Sequence, residues 1–330
     1  MIDVLFPQGS DNVGDELNAW LWPAMIGDLV VERRVTLLGI GTLLNRPFCE
    51  RLPPDGDIFV LGTGAGYGKP PKMDGRWKIY AVRGPRTAEA LSLPPETAVA
   101  DAAYLLAGLD WQAYGSADGH GDVVVIPHHR SLSLLDWHVV CKKAGVSFLS
   151  PLLPAEQFMR RLCSAKLVLA EAMHGAILAD IARIPWKAFS FGGQFNTDKW
   201  FDWAQALDID LDLEMFTGFY DPAYGDAALL SGSKHVGRWL KSSLSAKGLG
   251  KEKWRRLTPP SWQAERDVER FATSLCEMSK GVGQLSEIAI SSHRSAQLLD
   301  RVNAMRQDLG GLPCVALSGA PEDFFRSRPR

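Results

Sequence analysis

The strongest constraint on this fold is the alternation of short apolar runs with helical patterns. The runs Val35–Leu38 and Ile58–Leu61 are rich in aliphatic residues, as buried strands are. Apolar residues recur at helical spacing over Asp15–Met25, and Pro85–Ser92 has the composition of a helix. This alternation predicts a parallel sheet with helices on both faces.

The alternation stops at a stretch rich in glycine and small polar residues, 111–121, and then begins again. Such a stretch is typical of a linker. We therefore predict an α/β fold of two Rossmann-like, doubly wound domains that face a cleft, with helices at the C-terminal end. The predicted segments are an N-terminal α/β domain (1–115), a C-terminal α/β domain (122–230), a basic stretch with C-terminal helices (231–317) and a mobile tail (318–330).

Composition excludes several classes of protein. A net charge of -2 over 330 residues argues against a general nucleic-acid binder. No apolar run reaches the roughly 18 residues that a membrane span needs, and the first residues lack the features of a signal peptide. Five cysteines without a CxxC pair predict reduced thiols. We expect a cytoplasmic protein.

Charge is uneven in the C-terminal third. Eight basic residues and one acidic residue, Glu252, lie between Lys234 and Arg256, with Trp239 and Trp254 among them. This pattern fits a solvated helical face. It also fits a surface that contacts anionic lipid or a lipid-linked substrate.

Ligands of open α/β sheets bind beyond the carboxyl ends of the strands, so the residues that follow each strand are candidates. A polar loop after the first strand leads into a helix, whose free N–H groups favour an anion. Asn12 and Gly14 shape this loop near the ligand. Asp15 and Glu16 either cap the helix or contact the ligand.

Glycines and arginines follow the next strands. Gly62 and Gly64 allow a backbone to approach a ligand closely, although a tight turn without a ligand fits equally well. Arg83 stands at a strand end and is a candidate for binding carboxylate or phosphate. Arg86 is either a second anion ligand or a surface residue.

The second half offers two further candidates. His128, His129 and Arg130 follow a strand and fit a polar substrate contact, a metal site or a solvated loop. His174 opens a helix directly after another buried strand, where acid–base work is possible. Glu171 either orients His174 or caps the helix.

Taken together, these motifs resemble the polysaccharide pyruvyl transferase family. The resemblance covers roughly residues 1–205 and rests on five motifs in order: Asn12–Glu16, Gly62–Gly64, Val82–Thr87, Ala100–Asp101 and Glu171–Gly175. The segment Asn196–Trp203 is similar to one in the branch that decorates bacterial exopolysaccharides. The resemblance implies a fold like the GT-B glycosyltransferases and transfer of pyruvate from phosphoenolpyruvate to a sugar as a cyclic ketal.

The resemblance also implies roles for single residues. His174 would be the acid–base residue, and Arg83 and Arg130 would hold the anionic groups of phosphoenolpyruvate. Asn196 and Lys199 would lie in the cleft. Many relatives carry an arginine two residues before the histidine, where this chain has Ala172.

The implied partners follow from the reaction. Phosphoenolpyruvate is a co-substrate, and neither a metal nor a redox cofactor is expected. The acceptor is a sugar in a lipid-linked repeat unit at the cytoplasmic face of the membrane, which residues 234–256 would contact. Two alternatives keep the same cleft: a glycosyltransferase of the GT-B type that uses a nucleotide sugar, and a non-catalytic sugar-binding protein.

Overall fold

Two parallel β-sheets organise the chain in a computed structural model that describes residues 2–7, 12–66, 68–115, 121–191, 195–216 and 261–326. The α/β class predicted from the sequence is confirmed, and both sheets are of the Rossmann-like, parallel kind. The predicted two-domain arrangement and its boundaries stay predictions. The basic stretch 234–256, the centre of the predicted linker and loop residues 8–11 lie outside the described residues.

The first sheet has four strands: β1 (Ile2–Val4), β2 (Val35–Leu38), β3 (Asp57–Thr63) and β4 (Trp77–Val82). Between and after them lie α1 (Val13–Glu16), α2 (Asn18–Ile26), α3 (Arg46–Cys49) and α4 (Pro85–Ala90). The strands lie side by side in chain order, β1-β2-β3-β4. The described strands of this sheet therefore show no reversal of winding, and the expected doubly wound order is wrong here.

The second sheet has five strands: β5 (Val123–Ile126), β6 (Ser147–Phe148), β7 (Leu167–Ala170), β8 (Trp186–Ser190) and β9 (Leu213–Met215). Its helices are α5 (Trp137–Ala144), α6 (Ala155–Cys163), α7 (Met173–Ile181) and α8 (Thr197–Ala206). The order β6-β5-β7-β8-β9 is doubly wound. Winding reverses between β5 and β7, which is where ligands of such sheets bind.

Local sequence accounts for most of these elements. The four residues of β5 are all β-branched and all buried, as expected of a strand covered on both faces. Asp136 begins α5 by accepting a hydrogen bond from the Val139 N–H at 3.1 Å, and Gly145 ends it with φ of 69°. These are standard start and stop signals for a helix.

Three C-terminal helices follow: α9 (Ser261–Met278), α10 (Ile288–Asp308) and α11 (Pro321–Arg326). Helix α9 packs against α5, whereas α10 packs against the first sheet, where the Tyr80 hydroxyl donates to Asp308 at 2.7 Å. Residues 321–326 fall in the segment predicted to be a mobile tail. Instead they form α11, because the buried ring of Phe325 packs edge-on against Trp20 at 5.2 Å.

In the described part of the chain, no helix combines the length and apolar character that crossing a bilayer requires.

A buried ion pair joins the first half of the chain, which contains the first sheet, to the second half, which contains the second sheet. Nε of Arg83, just after β4, donates to Oδ2 of Asp202 in α8 at 3.0 Å, and neither side chain is more than 3% exposed. Asp202 also accepts from the backbone N–H of Thr87 at 2.9 Å and from its hydroxyl at 2.6 Å. Since α8 belongs to the second half, these bonds fix it against the first.

We expect Asp202→Asn to lower the free energy of unfolding by about 3–5 kcal/mol, because the Arg83 charge loses its buried partner. Asp198→Asn in the same helix is the matched control. It breaks the Arg86–Asp198 pair, whose carboxylate is 79% exposed, and should cost less than about 1 kcal/mol. Urea unfolding measures both; equal losses would contradict a structural role for the buried pair.

Candidate functional site

A cleft of about 330 Å³ lies at the carboxyl ends of the strands. The loops after β5 and β7 line it, so it sits at the point where the second sheet reverses its winding. From the sequence-predicted set, the cleft brings together Asn12, Asp15, His128, His129, Arg130, His174 and Lys199. Loops that follow strands of both sheets therefore contribute to one cleft.

His174 is the second residue of α7 and is 13% exposed at the side chain. Its Nε2 atom lies 3.7 Å from Oδ2 of Asp101, which is fully buried. Neither atom has a hydrogen-bond partner among the described residues. The ring therefore has a carboxylate behind it, as in acid–base dyads.

Gly14 makes room for the His174 ring. A Cβ at position 14 would lie 2.0 Å from Nδ1 of His174, far closer than any real contact. Gly14 is therefore needed to accommodate the His174 ring, whereas the sequence predicted that it shapes a loop near the ligand.

The described N–H groups at the start of α1 are already engaged. Oδ1 of Asn12 accepts from Gly14 N–H at 3.0 Å and from Asp15 N–H at 3.4 Å. The Val13 N–H donates to the Pro151 carbonyl at 2.9 Å. The expected anion site on these N–H groups is therefore wrong, because the protein itself supplies their acceptors.

Glu171 has a role that the sequence did not suggest. It is buried and accepts hydrogen bonds from His128 N–H at 2.9 Å, from the Ser131 hydroxyl at 2.9 Å and from Phe191 N–H at 3.3 Å. It thus holds the 128–131 turn onto the sheet. In this way Glu171 shapes the cleft wall that carries Arg130.

The two adjacent histidines are neutral at physiological pH. Their ring centroids lie 4.2 Å apart. Burial, together with the charges of Lys199 and Arg130, lowers the pKa of His128 to about 2 and that of His129 to about 4. Both rings therefore offer the cleft uncharged nitrogens.

The charged groups that line the cleft are mostly cationic. Among the described lining residues, Arg51, Arg130 and Lys199 face a single carboxylate, that of Asp15. Lys199 is buried near the start of α8. Asn196 begins this helix by accepting from the Asp198 and Lys199 N–H groups, and its amide donates to the Gly66 carbonyl. Such a charge balance favours a small anionic ligand.

Arg83 does not line the cleft. Besides its pair with Asp202, its guanidinium donates to the Thr42 hydroxyl at 3.1 Å and to the Ala65 carbonyl at 2.8 Å. A Cβ at Gly64 would lie 2.2 Å from Cζ of Arg83, so Gly64 makes room for the guanidinium. The carboxylate that Arg83 binds belongs to the protein.

Three other candidates also have partners within the protein. Arg86 lies on the outside of α4, paired with Asp198 at 3.0 Å and stacked on Phe201. Glu16 accepts from the Ala155 N–H at 3.1 Å and so caps α6 of the other half. Gly62, with φ of 79°, lets the Ala102 backbone approach. None of the three lines the cleft.

Sequence reasoning missed Asp101, Arg51 and Thr42. Arg51 and Thr42 lie in the segment that follows β2 and line the cleft. Applying the strand-end rule to β2 would have found them. Asp101 is part of the Ala100–Asp101 motif, but its contact with His174 crosses 73 residues and needs the fold to be seen.

Comparison with known proteins gives an informative match. No family model matches the chain. The chain is similar to the succinoglycan biosynthesis protein ExoV of Rhizobium meliloti (strain 1021), with 37% identity over 202 residues. The match covers 60% of this chain and 62% of that protein, less than two thirds of its length. That relative is named for the biosynthesis of succinoglycan.

The free energy of unfolding should fall as the pH is lowered through the interval from about 6.5 to 4. The unfolded chain takes up protons at its histidines in this interval, whereas His128, with a pKa of about 2, stays neutral in the folded state. Stability therefore rises with pH, by up to about 1.4 kcal/mol per pH unit for one such group.

His128→Asn should make this slope shallower, because it removes the titrating ring and can keep an acceptor for the Arg130 N–H. His293→Asn, at an exposed position of α10, is the matched control. Urea unfolding at pH 7, 6 and 5 measures the slopes. If the free energy of unfolding of the His128 variant depended on pH as steeply as that of the wild type, the ring of His128 would titrate normally.

Proposed function

We propose that this protein transfers pyruvate from phosphoenolpyruvate to two hydroxyl groups of a sugar in an exopolysaccharide repeat unit, forming a cyclic ketal and releasing phosphate. One observation carries the proposal: a histidine backed by a buried carboxylate stands in a small cleft lined by three cationic side chains. The similarity to a succinoglycan biosynthesis protein supports the choice of acceptor.

The cleft suits the donor. Phosphoenolpyruvate is small and carries a carboxylate and a phosphate, and a volume of about 330 Å³ lies within the usual range for small-molecule sites. Arg130 and Lys199 from the second half of the chain and Arg51 from the first would bind the two anions, since arginine pairs bidentately with both groups. In this proposal the donor's cations come from these residues rather than from Arg83.

In this proposal Arg51 also compensates for the arginine that is replaced by Ala172. Both residues line the cleft. Where many relatives of the resembled family carry an arginine, the short side chain of Ala172 leaves space, and Arg51 would supply a guanidinium from the first half of the chain. The number of donor-binding cations would thus be kept while their positions change.

The reaction needs balanced proton movements. Protonation of C3 turns the methylene into a methyl group and makes C2 electrophilic. One sugar hydroxyl adds to C2, the bond from C2 to the phosphate oxygen breaks, and the second hydroxyl adds. The hydroxyls lose two protons, of which one ends on C3 and one on phosphate. His174 would carry protons between these groups, a role worth about 10²–10⁴ in rate.

The acceptor would reach the cleft on a lipid carrier at the cytoplasmic face of the membrane. The support is the basic, tryptophan-bearing stretch 234–256, which lies outside the described residues. We expect the protein to sediment with anionic vesicles. Neutralising Lys251, Lys253, Arg255 and Arg256 should weaken this; unchanged binding would count against the contact.

Phosphoenolpyruvate should raise the thermal stability of the purified protein. A ligand at 100 times its Kd adds about 2.7 kcal/mol. Arg130→Ala should reduce the shift, whereas Arg86→Ala, outside the cleft, should not. His174→Asn should keep most of the shift and yet lose acceptor-dependent phosphate release.

The same assay separates the alternatives. Stabilisation by uridine diphosphate or a nucleotide sugar, and none by phosphoenolpyruvate, would favour glycosyl transfer. Stabilisation by sugars alone would favour a binding protein. Either result would overturn the pyruvyl transfer proposed here.

A further inference from the structure

Among the described residues, one oxygen of the Asp101 carboxylate accepts a hydrogen bond and the other has no donor. Oδ1 accepts from the Ala103 N–H at 3.0 Å and thereby begins the 3₁₀ turn Ala102–Gly108. Oδ2 is buried and has no hydrogen-bond partner among the described residues. A buried carboxylate oxygen without a donor is costly. One N–H or O–H that donates to Oδ2 would therefore remove this cost.

The group facing Oδ2 is the His174 ring. Nε2 lies 3.7 Å away, is itself buried and also lacks a partner among the described residues. This distance exceeds a hydrogen bond, but catalytic hydrogen bonds are often long before substrate binds and tighten in the complex. With a proton on Nε2, this nitrogen can donate to Oδ2, which gives both atoms a hydrogen-bond partner.

The other ring nitrogen is left for the substrate. Nδ1 lies beside Gly14, and the N–H of Gly14 is already donated to Oδ1 of Asn12 at 3.0 Å. With the proton on Nε2, Nδ1 carries a lone pair next to the cleft.

From these contacts we propose that Asp101 is a positioning residue that holds the proton of His174 on Nε2, so that Nδ1 is the atom that exchanges protons with the substrate. The kinetic part of this inference rests on the function proposed above; the assignment of the ring proton does not. In the reaction, Nδ1 accepts the proton of a sugar hydroxyl as its oxygen bonds to C2. It passes that proton to C3, which becomes the methyl group, and then takes the proton of the second hydroxyl and gives it to the phosphate as the C2–O bond breaks. The Asp101 carboxylate stabilises the imidazolium that forms between these steps.

The two halves of the chain build this dyad together. The Val99 N–H donates to the Val82 carbonyl at 3.0 Å, which places the segment before Asp101 beside β4. A Cβ at Gly62 would lie 2.5 Å from the Ala102 nitrogen, so only glycine admits the backbone that follows Asp101. His174 comes from the second half. The dyad therefore forms only where the halves pack.

The test is NMR of protein labelled with ¹⁵N at histidine, with the His174 signals assigned by their loss in His174→Asn. We expect the Nε2–H tautomer in the neutral ring of the wild type. The Nδ1–H tautomer would overturn the proposal, whatever the variants do.

Asp101→Asn separates positioning from capping. Asparagine caps a helix as well as aspartate, so its oxygen keeps the Ala103 N–H while its NH₂ faces Nε2 and favours the Nδ1–H tautomer. We expect the tautomer to reverse and kcat to fall by about 10²–10⁴, with the KM for phosphoenolpyruvate changed only a few-fold. Wild-type tautomer and kcat in this variant would show that Asp101 only caps the turn.

Asp136→Asn is the matched control, because Asp136 also caps a helix but lies away from the cleft. It should change neither tautomer nor kcat. The NMR measurement uses no substrate. If the wild type shows the Nε2–H tautomer but does not turn over phosphoenolpyruvate, the proposed reaction fails and the assignment of the ring proton stands.

Discussion

The buried ion pair between Arg83 and Asp202 is the interaction on which the cleft depends. It fixes α8 against the first sheet, and α8 carries Lys199 into the cleft. The same guanidinium donates to the Thr42 hydroxyl, and Thr42 also lines the cleft. One buried cation thus holds cleft residues from both halves of the chain in place. Because a buried charge without its partner is strongly unfavourable, this geometry has little freedom to vary.

In the cleft, different residues would bind anions and move protons. Its permanent cations, Arg51 and Arg130 among them, suit the binding of anions. The histidines near them are different, because burial and the adjacent positive charges lower the pKa of His128 to about 2 and keep its ring neutral. His174 alone has a carboxylate, Asp101, behind its ring among the described histidines. A group that gains and loses protons needs such a partner, since the imidazolium would otherwise form among positive charges.

Much of the candidate site was predictable, because strand ends in an open α/β sheet collect ligands. That rule alone brought Arg130 and His174 to one place. It failed for Arg83, because an arginine at a strand end looks the same in sequence whether its anion is a substrate or Asp202, 119 positions away. It failed for Glu16 for the same reason, since this side chain caps a helix that begins 139 positions later.

The sequence by itself determined the elements of this protein. Strands such as 35–38 and 186–190 and the helices between them follow from periodicity, β-branched residues and local caps, which act over a few positions. Only the tertiary structure decided the partners of each charge and the purpose of each glycine. Gly14 is needed because the His174 ring lies against it. Contacts of this kind join residues far apart in the chain, and no local pattern encodes which of them will meet.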